Sequence, residues 1–271
     1  MVNNEKGILY VATGDRYFAE VRQSALSVRR HMPDIPLLLY TDKPEAFGAP
    51  FDEIRKIEQP QYFFVDKVQP LKDTPFAKTL FLDTDTFVCA DVSDVFDLLD
   101  RFDLALAHAP MRHDRPYPTP NCFAEMNSGV LAYRKNERVL DMFERWIAIY
   151  DEEMSSSAQP ERGDQVHLRR AIYESRATPY ILPPEYNYRS VVMGWAARQK
   201  VRIIHGRSAD MEKLARQING TTSIRVTFPS LDQFTSQHVV FLDVAGGLFM
   251  RVANLFLGLL LRLKRLFGKS R

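Results

Sequence analysis

The chain contains little cysteine, and its two thiols form no metal-binding pattern. Cys89 and Cys122 are the only cysteines among 271 residues, and neither belongs to a Cys-x-x-Cys pair. We therefore expect no zinc site, and two separate thiols are compatible with a reducing cytoplasm. Residues 1–7 carry no apolar segment of the kind found in signal peptides, so we expect a cytoplasmic protein.

The chain also lacks a basic surface interleaved with aromatic residues, so we expect no nucleic-acid partner. Its formal net charge is +2, but residues 251–271 hold six basic residues and no acid, which leaves residues 1–250 with a net charge of −4. With 45% hydrophobic and 26% charged residues, the composition is that of a globular protein rather than a disordered one. The length suits one large α/β domain or two small ones.

Strand and helix patterns alternate from the start of the chain. A compact apolar strand at 7–12 precedes an amphipathic helix at 17–31 and a second strand at 37–40. This β-α-β order favours a doubly wound, mostly parallel sheet. By the same patterns, we predict further strands at 51–57, 80–82, 104–107, 126–133 and 201–204, and helices at 137–153 and 163–173.

Two carboxylates follow the strand at 80–82. In open α/β sheets, ligands bind at the carboxyl ends of the strands, which is where Asp83 and Asp85 stand. If the backbone stays extended, side chains two residues apart share a face, and both carboxylates can reach one Mg²⁺ or Mn²⁺ ion. Many Asp-x-Asp pairs are simply turns or caps. The apolar run before this pair, and Phe87 and Val88 after it, favour a metal site.

Other predicted strands also end in polar residues. Because the carboxyl ends of parallel strands share one edge of a sheet, these residues define an edge along which a nucleotide can lie. His205 follows the last predicted strand and is a candidate third metal ligand, since neutral imidazole is a common one. The remaining polar strand ends are Thr13 with Asp15, Asp42, and Asn127 with Ser128.

These motifs together resemble a known family. The segment 76–88, then Asn127-Ser128-Gly129, then Gly163-Asp164-Gln165, then 201–206 occur in the order seen in GT-A fold glycosyltransferases. They are most similar to family 8, the glycogenin-like and lipopolysaccharide galactosyl- or glucosyltransferase-like retaining enzymes. The resemblance covers residues 7–206. It implies a Rossmann-like, mixed but mostly parallel sheet flanked by helices, and transfer of a hexose from a UDP-sugar to a glycan or lipid-linked acceptor with retention of configuration.

The resemblance also implies roles for individual residues. Mn²⁺ or Mg²⁺ would be held by Asp83, Asp85 and His205. The nucleotide side of the donor would be contacted by Thr13, Tyr17, Asp42, Lys78, Ser128 and Gly206. The donor sugar and the reaction centre would face Asn127, Asp164 and Gln165, and Asn187 would line the acceptor side.

One position departs from the family pattern. The family commonly follows its last His-Gly with Lys-Pro-Trp, whereas this chain has Arg207 and Ser208 after His205 and Gly206. The lysine that contacts the diphosphate in the family is therefore missing. Arg207 is the candidate substitute, because a guanidinium binds phosphate oxygens in a bidentate manner.

Two other functions remain open. A phosphatase of the haloacid dehalogenase type also begins with Asp-x-Asp after an apolar strand, but it expects Thr or Val where this chain has Phe87, and no later acidic pair is evident. A membrane-associated scaffold that keeps the fold without activity is the non-enzymatic alternative. Intact Asp83, Asp85 and His205 argue against it.

The last residues have a different pattern, and we divide the chain into a transferase domain at 1–235 and a basic tail at 236–271. On a helical wheel, the polar residues of 239–271 form one narrow stripe among bulky apolar residues. The longest uncharged run there, residues 252–261, has ten residues and is too short for a bilayer, which needs about 20. We predict an amphipathic helix on an anionic membrane surface. A helix packed on the domain or on a second subunit is the alternative.

Overall fold

The order of strands and helices follows the β-α pattern that the sequence predicts. The structure is a computed structural model that describes residues 5–109, 118–157, 160–161, 163–192, 194–228 and 240–243. The strands are β1 Lys6–Ala12, β2 Leu37–Thr41, β3 Glu53–Lys56, β4 Lys78–Leu82, β5 Thr86–Val88, β6 Leu104–His108, β7 Met126–Arg134, β8 Pro179–Ile181, β9 Tyr188–Arg189, β10 Gly194–Ala196, β11 Ile203–His205, β12 Arg225–Phe228 and β13 Val240–Asp243. The α-helices are α1 Phe18–His31, α2 Val68–Lys72, α3 Val95–Leu98, α4 Glu137–Ser156, α5 Asp164–Glu174 and α6 Met211–Asn219.

Seven strands form the central sheet, in the order β3-β2-β1-β4-β7-β6-β8. Strands β3, β2, β1 and β4 are mutually parallel, and β6 and β8 run in the same direction. Strand β7 alone is antiparallel to its neighbours in this sheet. The start of β7 therefore lies at the same edge as the ends of β4 and β6. This mixed, mostly parallel sheet confirms the predicted fold class.

Alternate side chains of the strands enter two cores, one on each face of the sheet. On β1, Ile8 and Tyr10 pack with α1 and α3, whereas Leu9 points to the other face. That second face is covered by α4 and α5, where Phe143 and Trp146 are fully buried. Each such large apolar side chain contributes about 1.5–3 kcal/mol on burial. The sheet is thus a rigid base for the residues at its edge.

Two three-stranded sheets complete the described fold. In the first, β11 is antiparallel to β5 and parallel to β9. In the second, β12 lies between β10 and β13. Since β5 begins four residues after β4 ends, the first of these small sheets starts at the carboxyl edge of the central sheet.

A buried carboxylate at the opposite edge ties three segments together. Asp103 precedes β6 and is fully buried. Its oxygens accept hydrogen bonds from Arg134 and Arg138 at 2.7–3.0 Å, from Asn136 before α4 and from Thr178 before β8. The cluster is remote from the carboxyl edge, and we interpret it as structural.

The observed boundaries differ from the predicted ones in two informative places. Strand β4 ends at Leu82, so the residues that follow are not extended. Val240–Asp243, the start of the predicted helical tail, instead forms a strand against β12. The rest of the tail, 244–271, lies outside the described residues. None of the described helices has both the length and the apolar character needed to cross a bilayer.

Candidate active site

The two aspartates of the Asp-x-Asp motif lie in a turn between β4 and β5. The N–H and the hydroxyl of Thr86 both donate to the carbonyl oxygen of Asp83, at 3.2 and 2.8 Å. The Asp83 N–H in turn donates to the Gly129 carbonyl at 2.8 Å, which fixes the turn to β7. The expectation that Asp83 and Asp85 share one face of an extended strand is therefore wrong. The turn, not strand periodicity, sets where the carboxylates lie.

His205 reaches this turn through strand pairing. It lies opposite Thr86 in the β11–β5 ladder, and the next residue, Gly206, donates its N–H to the Asp85 carbonyl at 2.9 Å. His205 Nε2 is 3.3 Å from Asp85 Oδ1 and 3.7 Å from Asp83 Oδ2. One ligand atom from each residue lies within 4.8 Å of the others. Asp83, Asp85 and His205 therefore form a group that could hold a metal ion.

Gly129 makes this close approach possible. A Cβ atom at Gly129 would lie 2.1 Å from His205 Cε1, 2.5 Å from Asp83 Oδ2 and 2.9 Å from His205 Nε2. Ordinary contacts to a Cβ begin near 3.4 Å, so any side chain at this position would intrude among the three ligands. The space at Gly129 is thus occupied by the side chains of the metal-binding group itself.

A chain of hydrogen bonds determines which ring nitrogen of His205 is free. The backbone N–H of Gly129 donates to Asn127 Oδ1, so that atom must be the acceptor oxygen. Asn187 Nδ2 then donates to the same oxygen at 2.8 Å, and Asn187 Oδ1 is left to accept from His205 Nδ1 at 2.9 Å. In neutral His205 this leaves the lone pair on Nε2, beside the two carboxylates. A histidine oriented by its other nitrogen in this way is typical of a metal ligand.

Nearby positive charges keep Asp85 ionised. Burial acts to raise the pKa of Asp85, but its interaction with His205 and the charges of Arg207 and Arg189 outweigh burial, and the pKa is lowered well below its usual range. Asp85 is thus held in the form that a cation requires.

A buried lysine that was not predicted from the sequence, Lys67, lies beside the metal-binding group. Its ammonium is 2.5 Å from Asp164 Oδ2, 2.9 Å from Ser128 Oγ and 3.4 Å from Asp83 Oδ1. Burial acts to lower the pKa of Lys67, but Asp164 and Asp83 raise it on balance. Lys67 immediately precedes α2, and no sequence pattern there distinguishes it from a surface lysine.

Asp164 and Gln165 are the first two residues of α5, and their side chains contact Ser128 and Asn127 at the start of β7. Ser128 Oγ donates to Asp164 Oδ2 at 2.5 Å. Burial acts to raise the pKa of Asp164, but its ion pair with Lys67 and the bond from Ser128 lower it. The helix N-terminus favours a negative charge there as well. Gln165 Oε1 accepts from Asn127 Nδ2 at 3.0 Å, so the predicted residues of the reaction centre are indeed brought together.

Two arginines flank the metal-binding group from β9 and from the residue after Gly206. Arg207 donates twice to Glu20 on α1, at 2.7 and 3.0 Å, and its third nitrogen lies 3.5 Å from Asp85 Oδ2. Arg189 Nη1 is 3.3 Å from both ring nitrogens of His205, so it lies over the ring rather than in line with either lone pair. Arg189 and Glu20 were not predicted. Arg189 reaches the site because β9 pairs with β11, and Glu20 reaches it on α1.

The residues predicted to contact the nucleotide lie at the neighbouring strand ends. Asp42, after β2, accepts from the N–H of Gly14 at 3.0 Å and fixes the turn after β1. Thr13 donates to Asp66 at 2.8 Å. The ring of Tyr17 lies 6.0 Å from the Arg207 guanidinium, which links this turn to the metal-binding group.

Lys78 is not brought to the site. It begins β4, and its ammonium pairs with Asp100 at 2.6 Å. At about 3.3 Å per residue, the length of β4 separates Lys78 from the carboxyl edge. Among the predicted site residues, it is the one that the fold places at the opposite edge.

Comparison with known proteins finds similarity in structure but not in sequence. No protein-family model matches the chain, and no curated protein matches its sequence. Two solved structures of glycosyltransferase GlyE from Streptococcus pneumoniae TIGR4 are similar to it, each with 20% sequence identity. The match to the first has a TM-score of 0.51 and covers 68% of this chain and 46% of the GlyE chain. The match to the apo form has a TM-score of 0.53 and covers 70% of this chain and 48% of the GlyE chain.

The likeness covers slightly less than half the length of the GlyE chains, and at this identity it concerns the fold. Membership of family 8 stays a prediction. The chain has the mixed α/β fold of a glycosyltransferase of the GT-A type.

Proposed function

We propose that the chain is a metal-dependent glycosyltransferase that moves a hexose from a UDP-sugar to an acceptor with retention of anomeric configuration. The observation that carries the proposal is the Asp83-Asp85-His205 group built around Gly129, with the buried Lys67–Asp164 pair beside it. The GT-A type fold adds support, because the two similar solved structures are of a glycosyltransferase.

The order of groups along the sheet edge fits such a donor. The turn after β1 and Asp42 after β2 would receive the uridine, since they lie on one side of the metal-binding group. Asp83 and Asp85, after β4, would then meet the diphosphate. Asn127, Asp164 and Gln165 lie next along the edge, where the hexose would follow.

Asp83, Asp85 and the Nε2 atom of His205 would hold the ion. One imidazole among oxygen ligands favours Mn²⁺ over Mg²⁺, which takes oxygen ligands. A bound divalent cation supplies Lewis-acid stabilisation of the negative charge that develops on a diphosphate leaving group. Arg207 would add a guanidinium on the same side, in place of the lysine that the family motif provides.

Asp164 suits the role of an electrostatic stabiliser. It is ionised, 5% exposed and paired with Lys67, so it has no proton to donate. A carboxylate close to the anomeric carbon favours the oxocarbenium-like charge of the transition state. Because one oxygen is already engaged by Lys67 and Ser128, we favour stabilisation of that charge over covalent attack.

A donor panel with each UDP-hexose, with and without Mn²⁺, tests the activity, and NMR of the product linkage tests the stereochemistry. Asp85→Asn should abolish metal-dependent turnover and leave the fold intact. Asp97→Asn, an exposed acid on α3, is the matched control and should keep wild-type turnover. Near-wild-type turnover in folded Asp85→Asn would refute the metal assignment, and an inverted product would refute retention.

The alternatives make different predictions. A haloacid dehalogenase-type phosphatase would release phosphate from phosphoesters without sugar transfer, and an inactive scaffold would bind no UDP-sugar. Calorimetry with UDP-sugars, with and without Mn²⁺, separates both from the transferase.

Membrane attachment through residues 239–271 remains a proposal of its own. Because β13 pairs with β12, the shortened chain for this test should end at Asp243 rather than before it. Co-sedimentation with anionic vesicles should then fall relative to the full chain. Equal binding of both chains would favour a tail that packs on protein.

A further inference from the structure

A cavity opens beside the metal-binding group. It has a volume of about 480 Å³, within the range of about 300–1,000 Å³ that is typical of small-ligand sites. Asn187 and Arg189 are among its lining residues, and both also contact His205. The cavity therefore adjoins the proposed metal centre through these two side chains.

The topology places this cavity on the side that the proposed donor leaves free. The ends of β6 and β8 line it, through His108 and Ile181. In the sheet order, β6 and β8 lie beyond β4 and β7, whereas the turns that would receive the nucleotide follow β1 and β2 on the other side. A ligand in the cavity would approach the reaction centre from the side opposite the uridine.

The wall of the cavity combines an exposed aromatic face with polar groups at its inner end. Trp195 on β10 is 53% exposed and Ile181 is 37% exposed, although both are large apolar side chains that burial would favour. Tyr180 continues this wall. A pyranose ring has the matching chemistry, since its C–H face is apolar and its hydroxyls project from the rim.

The charges in the cavity favour a neutral ligand. No carboxylate lines it among the described residues, so nothing there selects a cation. Its arginine, Arg189, interacts with Asp85 and Asp83, which offset part of its charge. An anionic acceptor would find no further lysine or arginine in this wall.

Building on the proposed function, we propose that this cavity is the acceptor site and that the acceptor is a neutral saccharide whose ring stacks on Trp195. Asn187 and Arg189 bind its hydroxyls at the inner end and direct one of them toward the anomeric carbon. The hydroxyl oxygen forms the new glycosidic bond, the bond from the anomeric carbon to the UDP oxygen breaks, and the hydroxyl proton leaves with the UDP product or to solvent.

Tryptophan fluorescence tests the site without donor or metal. The chain has two tryptophans, of which Trp146 is 1% exposed and Trp195 is 53% exposed, so collisional quenching by acrylamide reports chiefly on Trp195. We expect at least one member of a panel of neutral mono- and disaccharides to protect this fluorescence in a saturable manner. Ile181→Ala should weaken that protection at least fivefold. Tyr173→Ala, an exposed aromatic on α5 outside the cavity, should leave it unchanged.

Two results would overturn the inference. One is that no neutral saccharide protects Trp195, or that protection is the same in Ile181→Ala. The other is that only alkyl glycosides protect it, with an effect that grows with alkyl length, because the cavity would then hold a lipid chain rather than a sugar. In the transfer assay, Trp195→Ala should raise the acceptor KM at least tenfold.

The failure of this inference is distinguishable from failure of the proposed function. Binding of UDP with Mn²⁺, measured by calorimetry, depends on the donor side alone. UDP binding without saccharide protection would refute the acceptor site and leave the transferase standing. Saccharide protection without UDP binding would support the saccharide site and refute the transferase.

Discussion

Replacing Gly129 by alanine should weaken metal binding strongly while the protein still folds. The added Cβ would lie 2.1 Å from His205 Cε1 and 2.5 Å from Asp83 Oδ2. The strand cannot yield easily, because Gly129 belongs to β7 and its carbonyl accepts the Asp83 N–H at 2.8 Å. The two ligand side chains must therefore retreat.

The size of that movement determines the effect. To go from 2.1 Å to an ordinary contact near 3.4 Å, the His205 ring must move by about 1.3 Å, whereas metal–ligand distances tolerate about 0.2 Å. Loss of an outer-sphere partner alone costs about 10–100-fold in metal affinity, so displacement of two ligands should cost at least 100-fold. The overpacking itself should lower the free energy of unfolding by about 1–3 kcal/mol, a fraction of a typical domain's stability.

The assay is Mn²⁺ binding, by calorimetry or by the electron paramagnetic resonance of free Mn²⁺, together with thermal unfolding. Gly48→Ala is the matched control, since a Cβ there meets nothing within 4 Å, and it should bind Mn²⁺ like the wild type. A folded Gly129→Ala protein whose Kd for Mn²⁺ stays within threefold of the wild-type value would refute the assignment of Asp83 and His205 as ligands.

Three further predictions follow from other contacts. Lys67→Met should lower the free energy of unfolding by about 3–5 kcal/mol, because it leaves the Asp164 charge buried and unpaired. Adding Asp164→Leu should restore much of the lost free energy of unfolding. Chemical unfolding of the single and the double variant measures both effects. Asn187→Ala should weaken Mn²⁺ binding about 10–100-fold by removing the acceptor of His205 Nδ1–H, which the same calorimetry measures; an unchanged Kd would contradict the tautomer argument. Asp103→Asn should cost about 2–3 kcal/mol at pH 7. Burial opposes ionisation of Asp103, but hydrogen bonds from its arginine, asparagine and threonine partners lower its pKa, so its stabilisation is present above the unfolded-state pKa of about 4 and is lost as pH falls below it. The difference in the free energy of unfolding between wild type and Asp103→Asn should therefore be smaller at pH 3 than at pH 7.

The sequence predicted the central sheet well because its signals are local. The strand at 7–12 is a short apolar run, the helices at 17–31 and 137–153 show the helical period, and the structure has β1, α1 and α4 there. The third strand was predicted too long, since only Glu53–Lys56 pairs with β2. Where local pattern and sheet pairing agree, the prediction is confirmed.

For the metal-binding group, the sequence named the residues but gave the wrong reason for their arrangement. Its three residues were identified, but the reason given for Asp83 and Asp85, a shared strand face, is wrong. The strand at Leu82 stops because Thr86 and the residues after it pair with β11, a strand far away in sequence. A motif can thus name residues that the fold brings together, even where local periodicity misplaces them.

Lys67, Arg189 and Glu20 could not be identified from the sequence, because each acts through a partner that is distant along the chain. A lysine between Asp66 and Val68 looks like any surface lysine until α5 brings Asp164 within 2.5 Å of it. Burial of a charge is a tertiary property, and neither composition nor periodicity reports it.

The charges of the site explain why these unpredicted residues matter for the proposed donor. Asp83, Asp85, Asp164 and Glu20 contribute four negative charges, and Lys67, Arg189 and Arg207 contribute three positive ones, which leaves a net charge of −1. The protein alone is therefore close to neutral at this point, which limits the cost of burying so many ionised groups. A divalent cation would add two positive charges, and the diphosphate of a UDP-sugar carries two negative charges. Because Lys67, Arg189 and Arg207 offset most of the acidic charge, the site with a divalent cation would carry a net positive charge that attracts the donor, so metal and diphosphate should bind with positive cooperativity.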